Sequence, residues 1–249
     1  MRALVRPPSP ELAQGLLTRI DRAPVDVELA RRQWDGYVSA LESVAWQVID
    51  VPAAPDHPDS VFVEDTMVVY GDRAVIARPG APERRGETEA ARQVIESLGY
   101  TVTTIEEPAF LDGGDVLKIG DRCWVGVGGR TTVDAVPQLA AGLGIEAVGV
   151  PVSSVLHLKS GVTALPDGTV VGYPPLVDTP DVWQPFLSVP EESGAHVVVI
   201  DDETVLMASS APRSADLFRQ RGLRVIAVDI SEYEKLEGCV TCLSVRLRG

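Results

Sequence analysis

The sequence predicts an α/β protein in which five similar β-β-α-β units form a closed ring. Three observations support this prediction. Hairpin-like segments recur regularly, since the turns at Gly71 and Gly120 lie 49 residues apart and the turn at Asp167 follows 47 residues later. Each hairpin leads, through a helical or irregular stretch, to a further strand. The C-terminal CLSVRLRG can pair with the N-terminal RALVRPP, so that both termini share one unit and no sheet edge stays exposed.

The units show the same order of elements along the chain. The first complete unit contains the hairpin VFVEDTMVVYGDRAVIARPG, the helical pattern ERRGETEAARQVIESLG and the strand YTVTTI. The second contains DVLKIGDRCWVGVGG, TTVDAVPQLAAGLG and IEAVGVP. In the third, HLKSGVTALPDGTVVGYPP precedes a helical or irregular stretch and the strand HVVVID. The fourth is shorter and contains ETVLMASS, PRSADLFRQRG and LRVIAVDI.

A helix and a strand complete the unit that the termini share. In VDVELARRQWDGYVSALESV, the apolar residues Val27, Trp34, Val38 and Leu41 fall at helical spacing and predict one buried face. The strand WQVIDVP follows this helix. Because no Gly/Ser linker, charge run or low-complexity tract divides the sequence, we predict a single domain over residues 1–249.

The composition predicts a globular protein in a reducing compartment. Apolar residues make up 45% of the 249 residues, more than a disordered chain carries. No window approaches 18 uninterrupted apolar residues, and MRALVRPPSP lacks the apolar core of a secretory signal, so we expect neither a membrane span nor export. The 3 cysteines are too few for a disulfide framework. We therefore expect a cytoplasmic protein with reduced thiols.

The charge balance limits the partners that the chain can bind. The sequence has 22 Lys+Arg against 36 Asp+Glu, a formal net charge of −14, and it contains no Lys/Arg run. Because nucleic-acid binding needs a basic face, we expect no nucleic-acid partner. An acidic balance is compatible with a cationic small-molecule substrate or simply with a soluble surface.

The ring brings distant polar residues together. One end of the first strand in every unit faces the central axis, and unusual side chains lie at or before that end: Asp59, Glu64, Asp65, Asp112, Asp115, His157 and Cys242. A cysteine, a histidine and an acid far apart in sequence can act as nucleophile, base and orienting group, or each can have a separate structural role. Glu64 and Asp65 interrupt an apolar strand, and since adjacent strand residues point to opposite faces, one should point inward. Such a carboxylate needs a cation.

Two further patterns leave alternatives open. Arg84 and Arg130 both lie between the hairpin and the helix of their units, 46 residues apart, and would bind an anion or remain solvated. The Gly pair in LDGGD predicts a turn that uses positive φ angles. Cys239 and Cys242 form a C-x-x-C in an alternating, strand-like segment, which favours neither a thioredoxin-type pair nor a zinc site.

Six segments in this order resemble one known family: PDSVFVEDTMVV, ARPGAPERR, LDGGDVL, VGVGGRT, LHLKSG and EKLEG-x-VTC-x-S. The chain resembles the dimethylarginine dimethylaminohydrolases of the guanidine-modifying, or pentein, superfamily over nearly its whole length. The resemblance implies a five-bladed α/β propeller of pseudo-fivefold β-β-α-β modules, with the termini joined in one blade.

The resemblance also implies site residues. It assigns Cys242 as the nucleophile, His157 as the general acid and base, and Asp112 as the acid that orients His157. It places further residues around the substrate: the carboxylates Asp59, Glu64 and Asp65 at the guanidinium, Arg84 and Arg130 at the α-carboxylate, Leu17 in a mobile covering loop, and Leu236 and Glu237 near the amine. Glu237 stands where the family commonly has Asp. Cys239 stands where the family usually has a small or apolar residue, and it either packs without a chemical role or makes the site sensitive to oxidants.

The activity implied is hydrolysis of Nω-methylated L-arginine to L-citrulline and methylamine or dimethylamine, through a thiouronium adduct on Cys242. No metal or organic cofactor is implied, and we expect a monomer or homodimer. Two alternatives remain. One is a sibling enzyme, such as an arginine or agmatine deiminase or an amidinotransferase, although paired arginines favour a substrate with a free α-carboxylate. The other is a non-catalytic guanidine-binding propeller.

Overall fold

The computed structural model describes residues 1–247, which contain fifteen β-strands and six α-helices. The strands are β1 (Arg2–Val5), β2 (Gln47–Asp50), β3 (Met67–Tyr70), β4 (Arg73–Ile76), β5 (Thr101–Thr104), β6 (Val116–Ile119), β7 (Arg122–Val127), β8 (Glu146–Pro151), β9 (Val162–Ala164), β10 (Val170–Gly172), β11 (Phe186–Ser188), β12 (Val197–Val199), β13 (Thr204–Ala208), β14 (Arg224–Val228) and β15 (Val245–Leu247). The helices are α1 (Val27–Ser43), α2 (Thr88–Ser97), α3 (Ala135–Leu143), α4 (Leu158–Gly161), α5 (Pro212–Gln220) and α6 (Ser231–Glu234).

Over residues 1–247 the strands form five three-stranded sheets of one topology: β15-β1-β2, β3-β4-β5, β6-β7-β8, β9-β10-β11 and β12-β13-β14. In each sheet the middle strand pairs antiparallel with the first strand and parallel with the third. The predicted repeat is therefore present, and within residues 1–247 four of the five units have an α-helix between the middle and the third strand. The predicted pairing of the two termini is also confirmed, because β1 pairs with β15 and places Ala3 opposite Arg246.

Local chemistry explains the repeated hairpins and the long helix. Gly71, Gly120 and Gly168 have φ angles of 55°, 62° and 82° in the turns between the first two strands of three sheets, a conformation that glycine adopts without strain. The side chain of Asp26 caps α1 by accepting a hydrogen bond from the backbone N–H of Leu29. Hairpin turns and helix ends thus lie where the sequence supplies the required residues.

The boundary between the third and fourth units was predicted wrongly. HVVVID does not close the third sheet: its core, β12, pairs antiparallel with β13 and opens the fourth sheet. The third sheet closes instead with β11, which has only 3 residues. In the described chain, the segment between β10 and β11 forms two short 3₁₀ turns in place of an α-helix. A strand this short shows no distinguishable alternation.

A central cavity of about 600 Å³ lies between the sheets. Its lining includes residues of the first strand of every sheet, together with neighbouring turns: 67–70, 116–119, 163–165, 197–200 and 245–246. Helices α1, α2, α3 and α5 pack against the third strands of four sheets, and apolar clusters form separate cores between neighbouring sheets. This arrangement places the segments that enter the five first strands near one another. Within residues 1–247, no helix is both long and apolar enough to cross a membrane.

Candidate active site

The candidate site forms where the chain enters the first strands. A 3₁₀ turn, Val63–Thr66, precedes β3, and another, Gly113–Asp115, precedes β6. His157 is the N-cap residue of α4, which leads into β9, and Cys242 lies in the turn before β15. Backbone contacts join these segments, since the N–H of Glu64 donates to the carbonyl of Cys242 at 3.1 Å. The segments that precede β3 and β15 are therefore in direct contact.

His157 and Asp112 form a buried hydrogen-bonded pair. The Nε2 atom of His157 lies 2.9 Å from Oδ2 of Asp112, whose residue is fully inaccessible to solvent. Asp112 is itself fixed, because its Oδ1 accepts from the backbone N–H of Gly80 at 3.0 Å and its N–H donates to the hydroxyl of Thr131. The geometry holds the imidazole in one orientation, with Nδ1 at 3.8 Å from Oδ1 of Asp65.

Carboxylates control the charge of this histidine. Burial opposes protonation of His157, but Asp65, Asp112 and Asp115 outweigh it and raise the pKa of the imidazole to about 9. Burial likewise opposes ionisation of Asp65, yet His157 and Arg84 lower the pKa of that carboxyl to about 2. Near neutral pH, the site therefore holds an imidazolium beside an ionised carboxylate.

Asp115 has a positioning function that the sequence did not reveal. Its Oδ1 accepts from the backbone N–H of Leu158 at 2.8 Å, and its Oδ2 accepts from the hydroxyl of Thr131 at 2.6 Å. Burial raises the pKa of Asp115 to about 6, although His157 acts in the opposite direction. Asp115 thereby anchors the start of α4, the turn that presents His157.

The Gly pair of LDGGD serves close packing, so the expectation of positive φ angles was wrong. A Cβ on Gly113 would lie 2.0 Å from the carbonyl oxygen of Glu64. A Cβ on Gly114 would lie 2.6 Å from Nδ1 of His157 and 2.7 Å from Oδ1 of Asp65. The N–H of Gly114 also donates to that oxygen at 2.8 Å. Only glycine leaves room for the histidine and the carboxylate to approach the turn.

The expected strand geometry of Glu64 and Asp65 was also wrong. Both residues lie in a 3₁₀ turn rather than in a strand, and both are buried. Oε1 of Glu64 accepts from Nζ of Lys159 at 2.6 Å and from the guanidinium of Arg246. These are the cations that an inward carboxylate requires. Its Oε2 is buried without a hydrogen-bond partner among residues 1–247.

Arg84 is buried and already engaged within the protein. Its guanidinium donates to Oδ2 of Asp65 at 2.6 Å, to Glu87 at 2.8 Å and to the backbone carbonyls of Asp59 and Phe62. Burial disfavours its charge, but Glu87 and Asp65 outweigh this and raise the pKa of Arg84 well above its ordinary value. Arg84 therefore organises the carboxylate cluster in this structure, and its predicted contact with a substrate anion stays a prediction.

Arg130 lies at the edge of the site, with 14% of its side chain exposed. Nη1 lies 3.8 Å from Oδ2 of Asp112, and Nη2 donates to the hydroxyl of Thr18 at 3.1 Å. Its guanidinium is thus held by fewer protein contacts than that of Arg84. A partly exposed cation at the edge of an acidic site is suited to an incoming anion.

A covering loop, residues 12–25, lies against the site. Asp59 accepts from the backbone N–H of Leu16 through both carboxylate oxygens, at 3.2 and 3.1 Å. Burial raises the pKa of Asp59, and Arg84 acts against this shift. Leu17 packs against a core cluster that includes the buried Leu236. Leu17 thus lies in the covering loop, and Leu236 is buried in the cluster against which Leu17 packs.

Glu237 holds the covering loop by its side chain. Its two carboxylate oxygens accept from the backbone N–H groups of Thr18 and Arg19, each at 2.7 Å. Glu237 adopts a φ angle of 59°, in the left-handed region that most side chains avoid. Strain of this kind persists where the surrounding structure requires it, often at functional sites. No local sequence pattern predicts this contact, which joins residues 219 positions apart.

Cys242 and Cys239 are direct neighbours. Their Sγ atoms lie 3.3 Å apart, and the backbone N–H of Cys242 donates to the carbonyl of Cys239 at 3.0 Å. The C-x-x-C forms a turn rather than the expected strand, which begins only at Val245. The sulfur–sulfur hydrogen bond and burial raise the pKa of Cys242, and the same bond lowers the pKa of Cys239. The pair therefore loses one of its two protons readily and retains the other.

Three buried groups resemble a metal-binding set. Donor atoms of Asp65, Asp112 and His157 lie within 4.8 Å of one another. Asp65 is already engaged by Arg84 and by the N–H of Gly114, and Asp112 by Gly80. In this structure Asp65 and Asp112 stabilise the positively charged imidazolium of His157. The three groups thereby hold a protonated histidine in position.

Comparison with known proteins places this chain in a family. A sequence profile described as arginine deiminase matches residues 51–180. The N(G),N(G)-dimethylarginine dimethylaminohydrolase of Streptomyces coelicolor is 56% identical over 250 residues, an alignment that covers 99% of this chain and 97% of that protein. The chain belongs to the dimethylarginine dimethylaminohydrolase family.

Solved structures of the dimethylarginine dimethylaminohydrolase family share the fold. The enzyme of Pseudomonas aeruginosa, as a Cys-to-Ser mutant complexed with citrulline, superimposes with a TM-score of 0.91 at 32% identity, covering 99% of this chain and 98% of that one. A His-to-Gly variant of a dimethylarginine dimethylaminohydrolase, as an adduct with S-methyl-L-thiocitrulline, gives a TM-score of 0.92 at 31% identity, covering 99% of both chains. The α/β pentein fold expected from the sequence is therefore confirmed.

Proposed function

We propose that this protein hydrolyses Nω-methylated L-arginine, as monomethyl- or asymmetric dimethyl-arginine, to L-citrulline and methylamine or dimethylamine. The observation that carries the proposal is the buried cluster in which a thiol, an imidazolium and several carboxylates meet. A guanidinium is a resonance-stabilised cation, so a site that attacks its central carbon must combine negative charge with a nucleophile and a proton donor.

Carboxylates orient the substrate cation. Asp59 and the unpartnered Oε2 of Glu64 accept hydrogen bonds from its N–H groups, and Asp65 adds negative charge. Arg130 binds the α-carboxylate of the substrate, and Arg84 adds positive charge from the buried side. The covering loop excludes water. Leu17, Leu236 and Glu237 place backbone groups near the α-amine.

Cys242 is the nucleophile. Glu64 and Asp65 contribute to its raised pKa. A bound guanidinium brings positive charge to the same place and shifts the equilibrium toward the thiolate. The thiolate attacks the guanidinium carbon, and the C–N bond to the methylated nitrogen breaks as a proton reaches that nitrogen. The product of this step is a thiouronium adduct on Cys242 and a free amine.

His157 supplies the proton and later removes one. With a pKa of about 9, its imidazolium is the dominant form at neutral pH and can protonate the leaving amine. The neutral imidazole then takes a proton from water, whose oxygen attacks the adduct carbon. Collapse of this intermediate releases the thiolate of Cys242 and L-citrulline. Asp112 keeps the ring oriented in both steps.

Substrate comparison and one pair of variants test the proposal. Purified protein is incubated with monomethyl-arginine, asymmetric dimethyl-arginine, arginine and agmatine, and citrulline or carbamoyl-putrescine is measured. We expect citrulline from the methylated arginines, none from Cys242→Ser, and ordinary turnover from Cys123→Ser, which alters a buried thiol in β7 away from the site. Preference for arginine would favour the activity of an arginine deiminase, the family whose sequence profile matches residues 51–180. Binding of methylarginine without turnover would favour a non-catalytic propeller.

We further propose that the five sheets close into a five-bladed α/β propeller that forms one catalytic domain over residues 1–249. The cavity lined by all five first strands and the pairing of β1 with β15 support this arrangement. A single cooperative unfolding transition is expected, and two separated transitions would contradict a single domain. A monomer or homodimer in the cytoplasm remains the prediction, testable by analytical ultracentrifugation and cell fractionation.

A further inference from the structure

Cys239 is a buried thiol that the proposed mechanism does not use. Its Sγ lies 3.3 Å from Sγ of Cys242 and 3.2 Å from the hydroxyl of Thr241. We propose that Cys239 and Cys242 are a peroxide-reactive pair that forms a reversible disulfide and thereby switches the enzyme off. The inference rests on the proposed function in one respect: Cys242 is the nucleophile that the disulfide would remove.

The local geometry favours bond formation. A disulfide requires the sulfurs to approach to about 2.05 Å, and these sulfurs already face each other within hydrogen-bond distance. The two cysteines belong to one turn, closed by the hydrogen bond from the N–H of Cys242 to the carbonyl of Cys239. The remaining approach therefore needs side-chain rotation and a small adjustment of one turn, with no rearrangement between sheets.

The chemistry needs a hydroperoxide as oxidant. After the pair has lost one proton, the remaining proton moves across the 3.3 Å hydrogen bond from Cys242 to Cys239. The Cys242 thiolate formed in this way attacks one peroxide oxygen, the O–O bond breaks, and a sulfenic acid forms as hydroxide leaves and takes a proton. The sulfur of Cys239 then attacks the sulfenic sulfur, loses its proton and displaces the second oxygen as water. The two sulfurs lose two electrons in total, and hydrogen peroxide is reduced to two water molecules. A dithiol reverses the reaction by thiol–disulfide exchange.

The ionisation of the pair supports its reactivity. The hydrogen bond between the sulfurs stabilises a shared thiolate and lowers the pKa of Cys239 below that of an ordinary thiol. Cys123 provides the contrast, because burial in β7 raises the pKa of its thiol to about 11. A thiol of that kind stays protonated and reacts slowly with peroxide.

The disulfide would inactivate the enzyme and would also protect Cys242 from irreversible oxidation. A lone active-site thiolate proceeds from sulfenic to sulfinic acid, which a dithiol does not reduce. Capture of the sulfenic acid by Cys239 stops this sequence at a reducible stage. The protein would thus lose activity under oxidation and regain it when reductant returns.

Graded oxidation with hydrogen peroxide tests the proposal on the whole chain. Wild type, Cys239→Ser and Cys123→Ser are oxidised, alkylated and weighed by intact-mass spectrometry, and citrulline formation is followed before and after dithiothreitol. In wild type we expect loss of two of the 3 thiols, a mass lower by two hydrogens, and full recovery of activity. Cys123→Ser, which retains two thiols, should lose both of them and recover its activity in the same way. Cys239→Ser should instead gain two oxygens on Cys242 and stay inactive after reduction.

The result that would overturn the proposal is wild-type protein that gains oxygen atoms on Cys242 and loses activity as irreversibly as Cys239→Ser. If Cys239→Ser fails to fold, Cys239→Ala and a tryptic map of oxidised wild type provide the same comparison, with a cross-linked 239–242 peptide expected. Failure of the proposed function is separately visible. Unoxidised wild type would then form no citrulline, whereas the mass and the thiol count would still report the disulfide.

Discussion

The replacement of Asp112 with Asn provides a quantitative test of how the site controls His157. The variant removes a negative charge from a buried hydrogen bond of 2.9 Å but preserves the oxygen that accepts from Gly80. A charge-assisted hydrogen bond contributes about 1.5–3 kcal/mol, and one pKa unit corresponds to about 1.4 kcal/mol. We therefore expect the pKa of His157 to fall by about 1–2 units from its value of about 9.

The rate should fall together with the pKa. An Asn in place of Asp112 no longer stabilises the imidazolium. Its amide N–H can also donate to Nε2 of His157, which would leave the proton of the neutral ring on Nδ1. We therefore expect kcat to decrease by about 10²- to 10⁴-fold, the contribution of a positioned acid–base group. Citrulline release between about pH 5 and about pH 10 reports the alkaline limb that belongs to the general acid. NMR titration of the His157 ring measures its pKa directly.

A matched carboxylate shows whether the effect is specific. Asp178 accepts from the backbone N–H groups and hydroxyls of Ser153 and Ser154 on the surface. Asp178→Asn removes the same charge but should leave the titration of His157 and the alkaline limb unchanged. If Asp112→Asn leaves the pKa of His157 at its wild-type value, the assignment of Asp112 as the orienting and charge-stabilising group is refuted.

Three further predictions concern the covering loop, the glycine turn and the effect of pH. Glu237→Gln weakens two hydrogen bonds to the covering loop and should raise KM by about tenfold with little change in kcat; equal loss in both would place Glu237 in the chemical step. Gly114→Ala should destabilise the fold by about 1–3 kcal/mol in urea unfolding, because the new Cβ would lie 2.6 Å from Nδ1 of His157. Gly129→Ala is the control, since among the described residues no atom lies within 4 Å of a Cβ there. The pKa of His157 is raised in the folded state from 6.5 to about 9, so its contribution, about 3 kcal/mol, is complete below pH 6.5 and is lost as the pH rises through about 9. Urea unfolding of wild type and His157→Gln at both pH values measures the difference, and identical pH dependence in the two proteins would contradict it.

Local patterns in the sequence determined much of the fold. Hairpin turns at Gly71 and Gly120, helical periodicity and complementary termini predicted the repeated units, because these features depend on residues close in sequence. The short β11 was not predictable in this way. Three residues show no distinguishable alternation, so the strand HVVVID was assigned to the wrong sheet.

The candidate site also combines features that the sequence predicted with features that it did not. The positions of Cys242, His157 and Asp112 followed from the repeat and from the family resemblance. The balance of Glu64 by Lys159 and Arg246 did not, because an ion pair between residues 182 positions apart leaves no periodic trace.

The sequence by itself determined which elements form and which reactive residues they carry, since propensity, periodicity and turn chemistry act locally. Only the tertiary structure decided which groups touch: the thiols of Cys239 and Cys242 at 3.3 Å, the carboxylate of Glu237 on the covering loop, and the cations on Glu64. Hydrogen bonds and pKa shifts depend on distances of a few ångströms and on burial. Those quantities are set when segments from distant parts of the chain pack together.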